Sequence, residues 1–445
     1  NTFLKTYDYS GNDIGNFVIE TTDGGYAIVG KTNSLGAGGY DVWLLKTDAN
    51  GDTLWTKTYG DNLDDVGYCL RQTSDNGFII AASKTIPNHY MDGWIIKTDA
   101  NGKVEWDTTF GGELNGEYAS FLIPAGNKTF VFSGASNSKS YVSKIDESGN
   151  ILWQYTYFSN NSSSASAVCQ TSDNGYAVVG SFQVSAGGSW YPNFFKLDNS
   201  GNLSWQVTYE DTEGYANRVM EVSDGGLILG GSWNGSLRVK KISSSGIDKW
   251  EYSYPGEYGT TVTSLIESSD GNILVLDNSP WARLRKLNLQ GDTLWTRNKD
   301  INNEFIRYAN VQLIGNNGLI MAGIGKNDAQ NHEVILAKAN EEGSMTGIGS
   351  YQAGQRKFVL EQNYPNPFTR FTTLSYTIPK VSGTIPVSIN IYNMVGQKIK
   401  TLVDSKKAAG TYSIQFHADG LVPGIYFYQL NVGNQVSIKK MVLMK

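Results

Sequence analysis

Residues 41–60 read DVWLLKTDANGDTLWTKTYG, and residues 92–106 repeat the same phrase as DGWIIKTDANGKVEW. Each phrase is a short apolar strand pattern, a turn and a second strand opening on Trp. Weaker copies follow at 143–153 (SKIDESGNILW), 195–205 (FKLDNSGNLSW), 240–250 (KKISSSGIDKW) and 285–295 (RKLNLQGDTLW). A seventh, LAKANEEGS at 336–344, has no Trp after it. Trp55, Trp106, Trp153, Trp205, Trp250 and Trp295 are spaced by 51, 47, 52, 45 and 45 residues. A period of this length with four strand patterns per unit points to a propeller blade and not to a helical solenoid. In the first unit the strands are expected near 14–21, 26–32, 41–47 and 53–59.

The seventh unit supplies three strands, near 305–313, 318–323 and 333–338, and lacks a fourth. FLKTYDYSGND from Phe3 mirrors WTKTYGDNLDD from Trp55. An N-terminal strand completing the last blade would close the ring and leave no open edge. The expected fold is therefore all-β: a seven-bladed β-propeller over 1–345, then a linker over 346–357 and a small antiparallel β-sandwich over 358–445.

Recurrent residues have physical reasons. The turns DANG, DESG, DNSG, SSSG, NLQG and NEEG suit a type I turn ending in a G1 bulge, with Gly left-handed. The Trp four residues later is expected to pack between neighbouring blades. Gly30, Ala82, Gly134, Gly180, Gly231 and Gly323 recur where a small residue allows close backbone approach. Lys46, Lys97, Lys144, Lys196, Lys241, Lys286 and Lys338 precede the turns. Their expected role is an aliphatic stem covering blade surface with the ammonium at the rim, not an anion-binding ring.

The 445 residues include 50 Gly and 54 Phe, Tyr and Trp, with 18 % charged. That composition excludes a disordered chain and collagen. No apolar stretch reaches the ~18 residues of a membrane helix, so no membrane span is expected. The net charge of −6 hides a split: residues 1–350 balance to −14 and residues 351–445 to +8. An acidic body disfavours nucleic acid as a partner. Cys69 and Cys169 are the only cysteines, read as buried free thiols, so there is no disulfide framework. The chain opens at Asn1 without an initiator Met, as expected of a mature protein after signal-peptide removal.

Candidate chemistry is sparse. The DANGD segments lack the sixth-position Gly and distal Glu of an EF-hand loop, so they read as turns and no metal is expected. His89, His332 and His417 are far apart in sequence, and no catalytic motif or cofactor-binding pattern occurs. The repeat loosely resembles the Trp-docking repeat of quinoprotein dehydrogenase propellers. Its Asp-to-Gly spacing is one shorter, and the vicinal cysteine pair is missing. No catalytic residues or cofactors are assigned.

The loops between second and third strands are expected to share a face with the inter-blade loops. The first set offers Tyr40, His89, Tyr90, Trp190, Tyr191, Trp233 and Trp281. The second is acidic, with Asp61, Asp64, Asp65, Glu113, Glu117, Glu210, Asp211, Glu213 and Glu257. Exposed rings beside carboxylates suit a glycan or a protein ligand. The candidate ligand-binding residues are Tyr90, Trp190, Tyr191, Trp233, Trp281, Asp64, Asp65 and Asp211. The plainer alternative is that these rings pack on their own loops and the acids confer solubility.

The last part carries Asn363-Tyr364-Pro365-Asn366-Pro367-Phe368, then Ile391-Tyr392-Asn393 with Gly396-Gln397, then Pro423-Gly424-Ile425-Tyr426 and a Lys-rich ending at Lys439, Lys440 and Lys445. In this order the elements closely resemble the type A C-terminal sorting domain of the bacterial type IX secretion system. The family more often has an Asn-Pro pair where this chain has Thr369-Arg370-Phe371. The resemblance implies an Ig-like fold, with Pro423, Gly424, Tyr426, Lys439, Lys440 and Lys445 in the sorting signal. It also implies the type IX translocon and its outer-membrane shuttle as partners, and an extracellular or cell-surface destination. The role expected on these grounds is non-catalytic binding or adhesion to a glycan or surface protein. A structural subunit of a surface layer or filament, built by self-association, is the alternative, and a polysaccharide-active enzyme is a third class.

Overall fold

The computed structural model describes all residues except 1, 8, 10, 88–89, 112–116, 159–161, 186, 255–259, 279–282, 299–305, 316–317, 327–330, 345–358, 361, 379–382, 395–396, 433–434 and 445. The expected linker lies wholly outside the described residues, as do His89, Glu113, Glu257, Trp281, Gly396 and Lys445. The chain divides into two compact units, Asn1–Ala353 and Gly354–Lys445.

The first unit contains seven four-stranded antiparallel sheets. In the first, Asp13–Glu20, Tyr26–Thr32, Asp41–Thr47 and Thr53–Tyr59 run in sequence order. These bounds match the strands expected of unit one. The seventh consists of Ile306–Ile314, Gly318–Lys326 and His332–Asn340, and its fourth strand is the N-terminal Phe3–Tyr7. Phe3 pairs with Lys338 and Tyr7 with Val334.

The first strands of the sheets are Asp13–Glu20, Val66–Gln72, Tyr118–Pro124, Ser163–Gln170, Gly214–Glu221, Val262–Glu267 and Ile306–Ile314. Each touches the first strand of the next sheet, and Ile306–Ile314 touches Asp13–Glu20. These innermost strands therefore follow one another in a closed cycle around an axis.

Every innermost strand carries one register shift, at Asn16, Tyr68, Ser120, Ser166, Asn217, Thr263 and Ala309. Bulges of this kind increase local twist and re-aim side chains. Several of the extra residues reach the next sheet: Asn16 Nδ2 donates to Gly67 O at 2.8 Å, and Ser120 Oγ to Ala165 O at 2.9 Å. The bulge also explains the recurrent small residue. A Cβ on Gly30 would lie 1.7 Å from Ile14 O, and one on Gly180 1.8 Å from Ser164 O.

The turns between third and fourth strands are as expected. Gly51 has φ 76°, its N–H donates to Asp48 O, and the register shifts between Lys46 and Thr47. Asp48 Oδ1 accepts from the amides of Asn50 and Asp52 at 2.8 Å each, so the DANGD carboxylate serves its own turn. Each repeat Trp packs on the turn Gly of the following sheet: Trp106 on Gly149, Trp153 on Gly201, Trp250 on Gly291. Phe3 takes the same role on Gly51.

The lysine row differs from expectation. Lys97 is only 2 % exposed, and its ammonium does not reach the rim. It pairs with Asp75 at 2.8 Å and Glu105 at 2.7 Å. Lys46–Asp23, Lys196–Asp173, Lys241–Asp224 and Lys286–Asp270 repeat the contact with the first hairpin turn of the same sheet. An ammonium drawn off the surface needs a carboxylate, and the turn Asp supplies it.

The second unit has a three-stranded sheet (Val359–Leu360, Phe371–Ile378, Gly410–His417) and a four-stranded one. The latter orders Lys398–Lys407, Ile385–Asn393, Gly424–Val432 and Gln435–Leu443. Leu374, Tyr376, Ile389, Ile391, Phe416, Tyr428, Leu430 and Met441 form one core between them.

Candidate functional site

In the first unit, loops from neighbouring sheets meet on one face. Tyr40 N donates to Asp64 Oδ1 at 2.8 Å, and Asp65 N donates to Tyr40 O at 2.5 Å. The loop between second and third strands and the inter-sheet loop thus share a side, as expected. Asp64 is exposed but occupied by that amide, and Asp65 is fully buried. The Asp65 carboxylate accepts from Thr85 N at 2.9 Å and Asp61 N at 3.2 Å. Burial pushes its pKa up to about 6, against those two hydrogen bonds. Asp65 is therefore a fastener of two loops and not a surface contact.

The aromatic candidates separate. Tyr90 is 64 % exposed in the loop before the third strand of the second sheet. Trp190 opens the third strand of the fourth sheet, half-buried, with its ring 6.3 Å from Tyr215 of the fifth. Tyr215 is 48 % exposed. Tyr191 lies beside its cross-strand partner Phe182 at 6.0 Å. Asp211 sits exposed in the loop between these two sheets, with Glu210 and Glu213 exposed beside it in sequence. Trp190, Tyr215 and the acidic loop are thus brought to one junction, while Tyr191 lies on the opposite face of its strand, and no contact links Tyr90 to the junction among the described residues.

Trp233 corrects an expectation: it is 4 % exposed and packs in the core. The reason is the turn. Trp233 pairs directly with Ser236, and Asn234 (φ 50°) and Gly235 (φ 69°) make a two-residue hairpin. Both positive φ values are those of a type I′ turn, whose Asn-Gly signature stood in the sequence. No loop remains there to display the ring. Tyr215 was missed because it lies on a strand, where period alone does not say which ring is left uncovered.

Among the described residues no three His, Cys, Asp or Glu are placed to hold a metal ion. Both cysteines are free, and burial pushes the Cys169 thiol up to about 12, which leaves it unreactive at neutral pH.

In the second unit the Asn-Pro-rich motif is a clasp on the final strand. Asn363 is buried, donating through Nδ2 to Pro365 O at 3.0 Å and Thr372 Oγ1 at 2.9 Å. Asn366 Oδ1 accepts from Val442 N at 2.9 Å, and Phe368 N donates to Val442 O at 3.0 Å. The Tyr364–Pro365 and Asn366–Pro367 bonds are cis. Tyr426 is buried and its hydroxyl donates to Val422 O, closing the Pro423-Gly424 bend, whose two residues are exposed. Lys440 is exposed and Lys439 half-buried. Tyr364 is 82 % exposed, beside the buried Asn363 of the same motif.

Solved structures similar to the chain share little sequence. A protein of unknown function from Bacteroides caccae aligns at 17 % identity, covering 57 % of this chain and 88 % of its own, with TM-score 0.41. Sqt1 from Chaetomium thermophilum aligns at 12 %, covering 84 % and 97 %, with TM-score 0.48. BBS1N in complex with ARL6DN aligns at 9 %, covering 77 % and 97 %, with TM-score 0.50. No curated protein matches the chain in sequence. Among the described residues no helix is long and apolar enough to cross a membrane. Residues 362–444 match the secretion system C-terminal sorting domain family, and with this tail the chain is a propeller-like repeat protein marked for export by type IX secretion.

Proposed function

We propose that residues 1–345 form a seven-bladed β-propeller closed by the N-terminal strand and joined through 346–357 to an Ig-like sorting domain at 358–445. The exported protein acts outside the cell, at the outer face of the outer membrane or released from it, as a non-catalytic binding module for a glycan or a surface protein. The outer-membrane shuttle of the type IX system is the partner of the tail during export. The observation that carries the binding reading is the Trp190–Tyr215 pair: two accessible rings from adjacent sheets, beside the acidic loop of Glu210, Asp211 and Glu213. Rings with one apolar face free and carboxylates at the border are the usual equipment for sugar stacking or for a cationic peptide. A glycan array and a surface-protein pull-down, repeated with Trp190→Ala and Tyr215→Ala, test it. Binding is expected to fall at least tenfold; ligand binding that both variants retain would exclude this junction.

A second reading, a subunit of a surface layer or filament, is favoured by the outermost strands. Leu54, Leu152, Leu203 and Leu294 are exposed there at matching positions or nearly so. Uncovered strand edges with apolar residues invite pairing with another copy. Electron microscopy of the native protein separates the two: discrete particles favour the binding module, and ordered polymers the subunit.

A further inference from the structure

The innermost strands carry two cations that no carboxylate answers. Arg71 belongs to the second sheet and Arg218 to the fifth, yet both guanidinium groups pack on Phe121 of the third. Their central carbons lie 5.7 Å and 5.3 Å from its ring centre. Arg71 also lies over Phe17 of the first sheet at 4.7 Å. Arg218 passes the fourth sheet to reach this spot, so its side chain lies across the axis that the innermost strands surround.

Their hydrogen bonds go to neutral groups. Arg71 donates to Leu70 O at 2.7 Å and to Cys69 Sγ at 3.3 Å; Arg218 donates to Asn217 O at 2.7 Å. Arg218 Nε is buried with no hydrogen-bond partner. Neither arginine forms an ion pair among the described residues, although 39 acidic residues lie within 1–350. Elsewhere in the unit buried cations are paired, as Lys97 is with Asp75 and Arg285 with Asp277. Burial pushes the Arg218 guanidinium down to about 10, so at neutral pH it keeps its charge. Phe17, Phe121 and the Cys69 thiol supply apolar walls, and Arg71, Phe121 and Arg218 stay half-buried, so the cluster keeps contact with solvent.

We propose that the axis of the first unit is a binding site for a small oxyanion, a phosphate or a carboxylate group, held by the guanidinium groups of Arg71 and Arg218. Guanidinium presents parallel N–H donors that match such an anion, and a desolvated apolar surround strengthens the contact. The site is separate from the Trp190–Tyr215 junction and stands whether or not that junction binds a ligand.

Isothermal titration of the full chain at constant ionic strength tests it, with inorganic phosphate in one arm, acetate in the other and chloride as the control. Saturable binding of phosphate or acetate is expected, and the arm that responds identifies the anion class. Arg218→Gln is expected to weaken it at least ~10-fold, the loss of one charge-assisted hydrogen bond. Phosphate should also slow phenylglyoxal labelling of Arg218 in the unmodified protein, a readout that needs no variant. No saturable binding in either arm, or binding that Arg71→Gln and Arg218→Gln both leave unchanged, would overturn the proposal.

Discussion

At the scale of single residues, two sets of carboxylates respond to pH in opposite directions. Partial burial alone would raise Asp23, Asp75 and Asp173, but hydrogen bonds from the partner lysine, a Thr hydroxyl and a Gly amide, together with the lysine charge, bring each down to about 2. Asp65 moves the other way, to about 6, chiefly by burial. A folded-state pKa below the unfolded one gives stability that is present above ~4 and lost as pH falls towards 2. A folded-state pKa above it means the folded state binds the proton more tightly, so stability rises as pH falls through 6. The urea midpoint of the full chain should therefore increase from pH 7.5 to about 5 and drop below about 4. Asp65→Asn should abolish the first change and keep the second. A midpoint flat between pH 7.5 and 5 in the parent would show that Asp65 titrates like an exposed carboxylate. None of this pairing was legible in the sequence. The lysine row repeats visibly, but its partner Asp lies in another turn, 16 to 23 residues away, and only the sheet brings them together.

At the scale of elements, the repeat works because six of the seven outermost strands are fastened to the next sheet by one Trp, and the seventh by Phe3. Trp250 places its ring on Gly291 and donates Nε1–H to Leu289 O at 2.9 Å. The ring is half-buried, so Trp250→Ala should cost about 2 kcal/mol, less than the 3–5 of a fully buried ring. Equilibrium urea unfolding measures it, and a loss under about 0.5 kcal/mol would mean that the contact is incidental. This fastening was legible, because the Gly and the Trp keep one spacing through six copies. The bulges on the innermost strands were not. Asn16, Tyr68, Ser120, Ser166, Asn217, Thr263 and Ala309 share no side-chain type, since the extra residue is defined by backbone register. Its sequence shadow was the small residue on the facing strand, at Gly30 and Gly180. Trp233 shows the converse case. The ring was visible in the sequence, but the Asn234-Gly235 hairpin that hides it outweighed any analogy with the longer loops of other sheets.

At the scale of the molecule, each of the two units depends on a terminal strand. In the sorting domain the strand Gln435–Leu443 is held by Asn366 and Phe368 through Val442. Deleting the last ten residues removes that strand, and the clasp with it. The truncated protein should accumulate in the periplasm, and normal surface display of it, followed by cell fractionation, would refute the role of the tail. In the first unit Phe3–Tyr7 closes the seventh sheet and also touches the first. Tyr7 is buried and its hydroxyl donates to Gly51 O at 2.7 Å, Lys5 pairs with Asp52 at 2.9 Å, and Phe3 meets Tyr26 edge-on at 5.9 Å. One five-residue strand therefore joins the sequence-distant ends of the repeat array. Losing the burial of Phe3, Leu4 and Tyr7 should cost about 5 kcal/mol, enough to lower the melting temperature by about 10 °C. It would also leave His332–Asn340 as an unpaired edge, and such edges recruit strands from other copies. Deletion of residues 1–7 should therefore lower the melting temperature and shift the protein to species larger than the parent's, read by calorimetry and by light scattering after size exclusion. A truncated chain that melts where the parent does and keeps the parent's size would mean that the array is held by its inter-sheet contacts alone, and the N-terminal strand would be an accessory to the ring and not its closure.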